Sequence, residues 1–485
     1  MELLLNVSKN LPGTLGAQIR SRIRDAVRDG SLRAGTPVPS TRELARQLGV
    51  SRKVVVDAYA QLTAEGYLVT RQGAQPRIAA GPFPDAAAAP PAAAAGRPVR
   101  FDFRPARPDV SSFPRAAWAR CLRDALAEIN IDDLGYGDPF GVDAMRDGLA
   151  DHLGRVRGVV ADRDRIVVTG GYLHGLGLIG RALAARGARR IACEDPGGTD
   201  EARIVARSGL EAVRVPVDDL GLRVDLLAAA EVDAVILTPA HQHPTGVVLA
   251  PERRTALIAL LRATGAIAIE DDYDAEYRYD RPAVGALQGL DPAHVVYAGT
   301  VSKVLAPALR LGWMVLPPAL VEPVRSQCDH GGARIEQLAF AHFLRRGELD
   351  RHLRRMRVRY RRRRDALVAA LAESLPSGRV CGIAAGLHVT VELPDHVDEA
   401  AVAAAARGRG IALATMGDYA SGGGRPPTLI LGYSQMTEAR LRAGVRELAT
   451  IVRLTPPSRP VAGGFPGAGT ATSPAVPGRR GSGRS

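Results

Sequence analysis

Lysine is almost absent from this sequence. Of its 64 basic residues only three are lysines, Lys9, Lys53 and Lys303, and the other 61 are arginines. The net charge of +13 is compatible with binding to a polyanion, but an arginine-rich composition can also reflect the base composition of a genome. Each remaining lysine therefore raises the question of what an amine does there that a guanidinium cannot do.

Cysteines in zinc-binding order and long apolar runs are missing as well. The four cysteines, at positions 121, 193, 328 and 381, show neither CxxC nor zinc-ligand spacing, which argues against a metal site and against a disulfide scaffold. The apolar runs are too short to cross a bilayer, and the opening MELLLNVSKN lacks the basic segment and cleavage site of a signal peptide. We therefore expect a reduced, cytoplasmic protein without membrane contact.

Two segments divide the 485 residues. Residues 79–100 are rich in alanine and proline and predict a linker, and residues 455–485 are too poor in apolar side chains to form a core and predict a disordered tail. Between them, residues 101–453 alternate helix-like stretches with five short apolar runs, RIVVTG, RIACEDP, DAVILTPA, AIAIEDDYD and VVYAGTVSK. This alternation predicts an α/β domain with a mainly parallel sheet, in which ligands bind at the carboxyl ends of the strands.

Residues 40–73 contain two helical patterns that break at Gly49-Val50. Ser51 stands at the N-cap position of the second pattern, where its hydroxyl can accept a bond from a backbone N–H, and Arg52 and Lys53 fall in the first turn. This spacing is typical of a helix-turn-helix, whose second helix enters the major groove of DNA. The following GYLVTRQG predicts a strand that leads into a wing. A small helical bundle with a solvated basic face fits the same pattern.

The longer stretch GSLRAGTPVPSTRELARQLGVSRKVVVDAYAQLTAEGYL resembles the winged helix of GntR-type bacterial regulators. The resemblance implies a DNA-binding domain over residues 10–78. Two departures from the family pattern are Val54, where the family usually has threonine, and GAQP in place of Gly-x-Gly-Thr in the wing. The residues that we expect to contact DNA are Ser40, Arg42, Ser51, Arg52, Lys53 and Arg71.

Lys303 follows a predicted strand in GTVSKVLAPALRLGW. A lysine that is withdrawn from water can lose its proton and attack a carbonyl group, whereas arginine stays protonated. In a chain where arginine replaces lysine almost everywhere, this position indicates a required amine. Its position alone fits a solvated lysine equally well.

The surroundings of Lys303 favour a cofactor site. Thr300 and Arg310 could reach the same phosphate, and the Gly-rich turn TGGYLHG (169–175) offers backbone N–H groups to it. Asp271 ends a predicted strand and Tyr273 follows it. A carboxylate that faces the pyridine nitrogen of pyridoxal phosphate keeps that nitrogen protonated, and a nearby phenol can bond to the O3′ oxygen. These elements in this order indicate pyridoxal phosphate.

Residues 101–453 resemble fold-type I aminotransferases, and with the winged helix attached the chain resembles the MocR/GabR-type subfamily of GntR regulators. The motifs YGDPFGVDAMRDGLADHL and TPAHQHPTGVVL support this resemblance. It implies a large and a small domain, a homodimer and an aldimine between Lys303 and pyridoxal phosphate. By the same resemblance, Asp271 meets the pyridine nitrogen, Tyr273 contacts O3′, and the phosphate is held by Gly171, Tyr172, Thr300 and Arg310.

Three positions depart from that pattern inside the expected pocket. Gly198 replaces an aromatic residue that stacks on the cofactor ring in the family. His243 stands where this subfamily has phenylalanine or tyrosine and aminotransferases have asparagine, and it can still donate a bond to O3′. Ile430 replaces the arginine that binds the substrate carboxylate in aminotransferases, and the nearby Arg425 is out of register. We expect cofactor binding to survive and amino-acid recognition to be weakened.

These observations lead to the hypothesis of a transcriptional regulator. It would bind promoter DNA and sense an amine, an amino-acid-type effector or pyridoxal phosphate itself through Lys303, with residual transaminase activity at most. A sensor needs only different ligand affinities in two conformations, whereas an aminotransferase must capture two carboxylate substrates. Two alternatives stay open: an active aminotransferase with a DNA-binding module, and a DNA-binding protein whose aminotransferase-like domain is an empty dimerisation scaffold.

Overall fold

The computed structural model describes residues 7–8, 10–71, 74–80, 98–280, 284–329, 332–422 and 424–456. The chain forms two compact units, Met1–Gly96 and Arg97–Ser485, which we call the N-terminal and the C-terminal unit. The predicted linker (79–100) and tail (455–485) lie almost entirely outside the described residues. Within the described parts of the chain, no helix combines the length and the apolar character that crossing a membrane requires.

The N-terminal unit consists of three helices and a small hairpin. The turn between its second and third helices contains Gly49, whose φ of 62° lies in the left-handed region that glycine adopts without strain. Ser40 is the N-cap of the second helix, and its hydroxyl accepts a bond from the Glu43 backbone N–H. The elements are α1 (Leu15–Arg28), α2 (Thr41–Leu48), α3 (Arg52–Ala64), β1 (Leu68–Val69) and β2 (Arg77–Ile78).

The apolar faces of these helices form one core, to which α2 contributes Leu44 and α3 contributes Val55 and Leu62. Strand β1 pairs antiparallel with β2, with Leu68 opposite Ile78. Helix–turn–helix followed by a two-stranded hairpin is the winged arrangement that the sequence predicts. That prediction is confirmed.

An eight-stranded sheet dominates the C-terminal unit. Four neighbouring pairs of strands run parallel, and the antiparallel pairs lie toward the two edges. Five of the strands are those predicted from short apolar runs. In spatial order the strands are β4 (Ile166–Thr169), β11 (Gly312–Val315), β10 (Val295–Thr300), β9 (Ile267–Asp271), β8 (Ala234–Leu237), β5 (Arg190–Asp195), β6 (Glu211–Asp218) and β7 (Gly221–Leu222).

Both faces of this sheet are covered by apolar clusters. Successive residues of a strand point to opposite faces, so neighbouring residues belong to different clusters. Ile269 belongs to the apolar cluster that contains Leu176, while its neighbour Ala268 belongs to the cluster that contains Leu257. The helices of the unit up to the small domain are α4 (Arg115–Glu128), α5 (Asp143–Arg157), α6 (Tyr172–Ala185), α7 (Thr199–Arg207), α8 (Val224–Ala229), α9 (Pro251–Thr264), α10 (Val321–Arg325), α11 (Arg334–Arg345) and α12 (Glu348–Ser374).

A second, antiparallel sheet forms the small domain of the same unit. Its strands in spatial order are β12 (Arg379–Cys381), β13 (His388–Glu392), β16 (Thr428–Gly432) and β15 (Ala414–Thr415), and it is accompanied by helices α13 (Glu399–Gly408) and α14 (Glu438–Leu454). A separate short pair joins β3 (Phe101–Asp102) in parallel to β14 (Ile411–Ala412). The α/β class with a large and a small domain is therefore as predicted.

Candidate functional site

A cavity of about 460 Å³ lies at the carboxyl ends of five parallel strands, β4, β5, β8, β9 and β10, and we call it the central cavity. The position agrees with the rule that α/β sheets bind ligands at this edge. All eight residues that the sequence predicts for the cofactor line it: Gly171, Tyr172, His243, Asp271, Tyr273, Thr300, Lys303 and Arg310.

One end of the cavity is suited to a phosphate. Gly171 has a φ of 106° and immediately precedes α6, so the free N–H groups of the first helical turn lie beside it. The Arg310 guanidinium lies 3.5–3.6 Å from the point that a Cβ atom on Gly171 would occupy. Thr300 Oγ1 accepts a bond of 3.1 Å from the Ser302 backbone N–H. The Thr300 hydroxyl and the Arg310 guanidinium therefore line the same cavity as the start of a helix.

Lys303 follows β10 in a turn and is partly buried. Burial lowers the pKa of Lys303, and the carboxylates of Asp271 and Asp274 partly oppose that shift. A lowered pKa increases the fraction of neutral amine, which is the form that reacts with an aldehyde. The electrostatics of the cavity therefore support a nucleophilic role for this lysine.

Asp271 ends β9 and is 8% exposed. Its Oδ1 atom is buried without a hydrogen-bond partner among the described residues. Burial raises the pKa of Asp271 well above its ordinary value, with a further contribution from the Glu201 carboxylate. An unpartnered buried carboxylate costs free energy until a donor or a cation arrives. A protonated ring nitrogen is such a partner.

Tyr273 and His243 lie on another wall of the cavity. The Tyr273 hydroxyl is 3.3 Å from His241 Nδ1, which in turn is 3.0 Å from Asp274 Oδ2. Burial lowers the pKa of His243 to about 3, so this imidazole is neutral at ordinary pH, and its buried Nδ1 has no described partner. The Tyr172 hydroxyl is also buried, and no described residue forms a hydrogen bond with it. The buried His243 Nδ1 and Tyr172 hydroxyl can therefore form hydrogen bonds with a ligand that has several polar groups, as pyridoxal phosphate has.

Three residues that line the cavity, Ser302, Tyr419 and Glu201, were not predicted from the sequence. Ser302 lies next to Lys303 in TVSK, and that adjacency was the available signal. Tyr419 comes from the small domain and packs its ring edge-on against His243 at 4.9 Å between centroids, and no sequence motif marked it. Glu201 also lines the cavity, and a Cβ atom on Gly198 would overlap its carboxylate.

The residue at the position of the substrate-binding arginine is buried and lies outside the lining of the central cavity. Ile430 lies in the middle of β16, is 0% exposed and does not line the central cavity. Arg425 donates a bond of 2.7 Å from Nη2 to the Asp195 carbonyl oxygen and does not line it either. Neither position places a guanidinium in the central cavity, where it could bind the carboxylate of an amino acid.

The residues predicted to contact DNA lie on the surface of the N-terminal unit. Arg42, Arg52 and Lys53 are exposed and, among the described residues, form no ion pair. Arg71 is exposed just after β1. The hydrogen bond expected from Ser51 is a wrong prediction: Ser51 is the N-cap of α3, but its side chain makes no cap bond. Its hydroxyl is exposed, and water competes there for the bond.

Two protein families match this chain. The family described as "Bacterial regulatory proteins, gntR family" matches residues 15–75, and the family described as "Aminotransferase class I and II" matches residues 110–448. Together they cover both compact units. The aminotransferase family uses pyridoxal phosphate, which the residues of the central cavity fit.

Relatives of similar length combine the same two parts. The HTH-type pyridoxine biosynthesis transcriptional regulator PdxR of Corynebacterium glutamicum is 32% identical over 463 residues, which is 93% of this chain and 99% of that protein. The probable rhizopine catabolism regulatory protein MocR of Rhizobium meliloti is 30% identical over 473 residues, 92% of this chain and 95% of that protein. Among solved structures, the multiple substrate aminotransferase of Thermococcus profundus has a TM-score of 0.67 and 25% identity, covering 74% of this chain and 92% of that one.

The fold and the site thus define a DNA-binding transcriptional regulator whose larger unit is an aminotransferase-like domain dependent on pyridoxal phosphate. Within that class, the chain belongs to the MocR-type subfamily of GntR-family regulators.

Proposed function

We propose that this protein is a cytoplasmic, homodimeric regulator that binds promoter DNA with an affinity set by the contents of the central cavity. One observation carries the proposal. Lys303, Asp271 and the phosphate-binding residues line one cavity in a chain that also carries a winged helix-turn-helix.

The surface of the C-terminal unit supports a homodimer. Ile131, Leu134 and Tyr136 are large side chains within six residues of each other, and they are 86%, 61% and 81% exposed. Large apolar side chains exposed this close together in sequence are of the kind that marks a protein–protein interface. A second copy of the chain is the partner that we propose for this stretch.

Sensing would depend on Lys303. When bound, pyridoxal phosphate supplies an aldehyde that condenses with primary amines. Arg310 and the start of α6 hold the phosphate, Asp271 stabilises the protonated ring, and Lys303 presents an amine of lowered pKa. An effector amine would compete with Lys303 for the aldehyde and so release the lysine side chain. Such an effector shifts the protein only as far as its affinities for the two conformations differ.

A working aminotransferase is less well supported. Each half-reaction must hold a substrate carboxylate in place, and the closed position of Ile430 offers no cation for this. A second candidate effector is pyridoxal phosphate itself, because the relative at 32% identity is named as a regulator of pyridoxine biosynthesis. DNA-binding titrations of protein without cofactor, with cofactor, and with cofactor plus an amine separate the candidates. Under the leading proposal, the amine changes DNA affinity.

The DNA-binding assignment is tested with Arg52→Ala. Arg52 is exposed in the first turn of α3, the part of a recognition helix that reaches base edges. We expect the variant to bind its own promoter region about 2 kcal/mol more weakly, roughly 30-fold. Fluorescence anisotropy with labelled DNA measures the change.

Arg22→Ala is the matched control, since Arg22 is an exposed arginine on α1. It removes the same charge from the same unit and is expected to change affinity less than about threefold. Equal affinities for Arg52→Ala and the wild-type protein would contradict the placement of α3 in the major groove.

A further inference from the structure

Some of the charged groups that line the central cavity have no role toward the cofactor. Its lining contains four carboxyl groups, of Glu194, Asp200, Glu201 and Asp271. Among the described residues, the lining cations are Lys303 and Arg310. Because Lys303, Arg310 and Asp271 all have roles toward the cofactor, the question is what the other three carboxyl groups do.

Two of these three carboxyl groups already have partners. Glu194 Oε2 accepts bonds from the Thr238 backbone N–H at 3.1 Å, the Thr238 hydroxyl at 2.7 Å and Gln242 Nε2 at 3.2 Å. Asp200 is exposed and lies 2.5 Å from Arg203 Nη2. Glu194 thus braces the cavity wall, and Asp200 forms a surface ion pair.

Glu201 is the carboxyl group that remains. It lies in the first turn of α7, and its side chain forms no ion pair with any described residue. Its carboxylate takes the space beside Gly198, because a Cβ atom on that glycine would overlap it. This is where the family resemblance places an aromatic side chain against the cofactor ring. A polar group therefore stands in the part of the pocket where an apolar one is expected.

The electrostatic surroundings leave Glu201 short of a cation. Burial raises the pKa of Glu201, and Asp200 adds to the rise, while a hydrogen bond from the backbone N–H of Glu201 itself and the charges of Arg214 and Lys303 oppose it. Arg214 donates a bond of 3.1 Å to the Glu194 carbonyl oxygen. The ionised form of a carboxyl group that is withdrawn from water and forms no ion pair is stabilised when a ligand brings a positive charge to it.

Among the described residues that line the cavity, no cation is left for a carboxylate of the effector. Ile430 is fully buried, and Arg310 lies against Gly171 at the phosphate end. Arg107 acts on Lys303 electrostatically, but it is half exposed, faces Asp102 at 3.7 Å and is not part of the lining. The charged group of the lining that has neither a role toward the cofactor nor a partner side chain among the described residues is therefore the Glu201 carboxyl group.

We propose that Glu201 determines effector specificity and that the effector carries a second cationic group besides the amine that reaches the cofactor, as a diamine does. The proposal rests on the proposed amine-sensing function and deepens it. The Glu201 carboxylate binds the distal cation, and a distal carboxylate is repelled. The condensing amine forms its C=N bond to the cofactor aldehyde as the Lys303 nitrogen leaves as a free amine, so no redox partner is needed.

The test compares three four-carbon probes on the full chain loaded with pyridoxal phosphate: the α,ω-diamine, the ω-amino acid and butylamine. Visible absorbance of the bound cofactor reports their displacement of Lys303. We expect the diamine to bind most tightly. Glu201→Gln, which keeps the shape and removes the charge, is expected to weaken the diamine about tenfold and to change butylamine less than about twofold.

Asp225→Asn is the control, because it removes an exposed carboxylate that is already paired with Arg223 and lies outside the lining of the cavity. It is expected to leave all three affinities within about twofold of the wild-type values. Glu201→Asp keeps the charge and is expected to keep the order of the probes. If Glu201→Gln fails to fold, the order in the wild-type protein decides: an ω-amino acid that binds more tightly than the diamine overturns the proposal.

Two negative results have different meanings. If the amines displace Lys303 but Glu201→Gln weakens all of them equally, the role of Glu201 is wrong and the amine-sensing function stands. If no amine alters the absorbance of cofactor that remains bound, amine sensing is wrong, and the proposal for Glu201 fails with it.

Discussion

Replacing Arg157 with methionine is expected to lower the free energy of unfolding of the C-terminal unit by about 3–5 kcal/mol. The Arg157 side chain is 1% exposed and forms two hydrogen bonds to Asp272, of 2.7 Å from Nε and 3.1 Å from Nη2. The Tyr297 hydroxyl donates a third bond of 2.8 Å to the same carboxylate. Removing the guanidinium leaves a fully buried carboxylate without its counter-charge, directly next to Asp271.

Urea unfolding followed by tryptophan fluorescence measures this effect. The two tryptophans of the chain, Trp118 and Trp313, both lie in the C-terminal unit, so the signal reports that unit alone. The matched control is Arg155→Met on the same helix. Arg155 is 60% exposed and pairs with Asp350 at 2.9 Å, and its loss is expected to cost less than about 1 kcal/mol. Similar unfolding midpoints for Arg157→Met and Arg155→Met would contradict the structural role of the buried pair.

Replacing Asp271 with alanine is expected to weaken pyridoxal phosphate binding about 100-fold. We propose that the protonated ring nitrogen would donate a charge-assisted bond to this carboxylate, whose Oδ1 has no hydrogen-bond partner among the described residues. Burial raises the pKa of Asp271, and Lys303 opposes that rise; a cationic ring nitrogen would oppose it further by stabilising the ionised carboxylate. Equilibrium dialysis against the cofactor gives the dissociation constants directly.

Asp271→Asn separates charge from shape, because it keeps the size of the side chain and removes its charge. It is expected to lose nearly as much affinity as alanine, while Asp200→Asn, at the exposed rim of the cavity, is expected to stay within about twofold of the wild-type value. If Asp271→Ala binds the cofactor as tightly as the wild-type protein, the ring nitrogen does not face this carboxylate.

Much of this fold could be predicted because local chemistry and tertiary position agree. The run AIAIEDDYD is apolar for four residues and then abruptly polar, which marks both strand β9 and the edge of the sheet where Asp271 ends it. The same transition in VVYAGTVSK places Thr300 at the end of β10 and Lys303 in the turn beyond. Parallel strands bring such ends together, so a linear pattern was enough to predict the central cavity.

The remaining part of the site depends on contacts that no linear pattern contains. Tyr419 reaches the cavity from the small domain, more than a hundred residues beyond Lys303. Glu201 enters the cavity because Gly198 leaves room for its carboxylate, and that exchange of space is visible only once α7 is packed. The wrong expectation for Ser51 has the same origin, since its backbone conformation fits a cap while its hydroxyl makes no cap bond.

The central claim is that Lys303 is the residue that binds pyridoxal phosphate covalently, and the scarcity of lysine makes it unusually easy to test. The protein is loaded with the cofactor, reduced with borohydride, digested and mapped by mass spectrometry, with Lys303→Ala treated in parallel. The account predicts one reduced adduct, on Lys303, and none in the variant. An adduct on Lys9 or Lys53, or an unmodified Lys303 in protein saturated with cofactor, would contradict it.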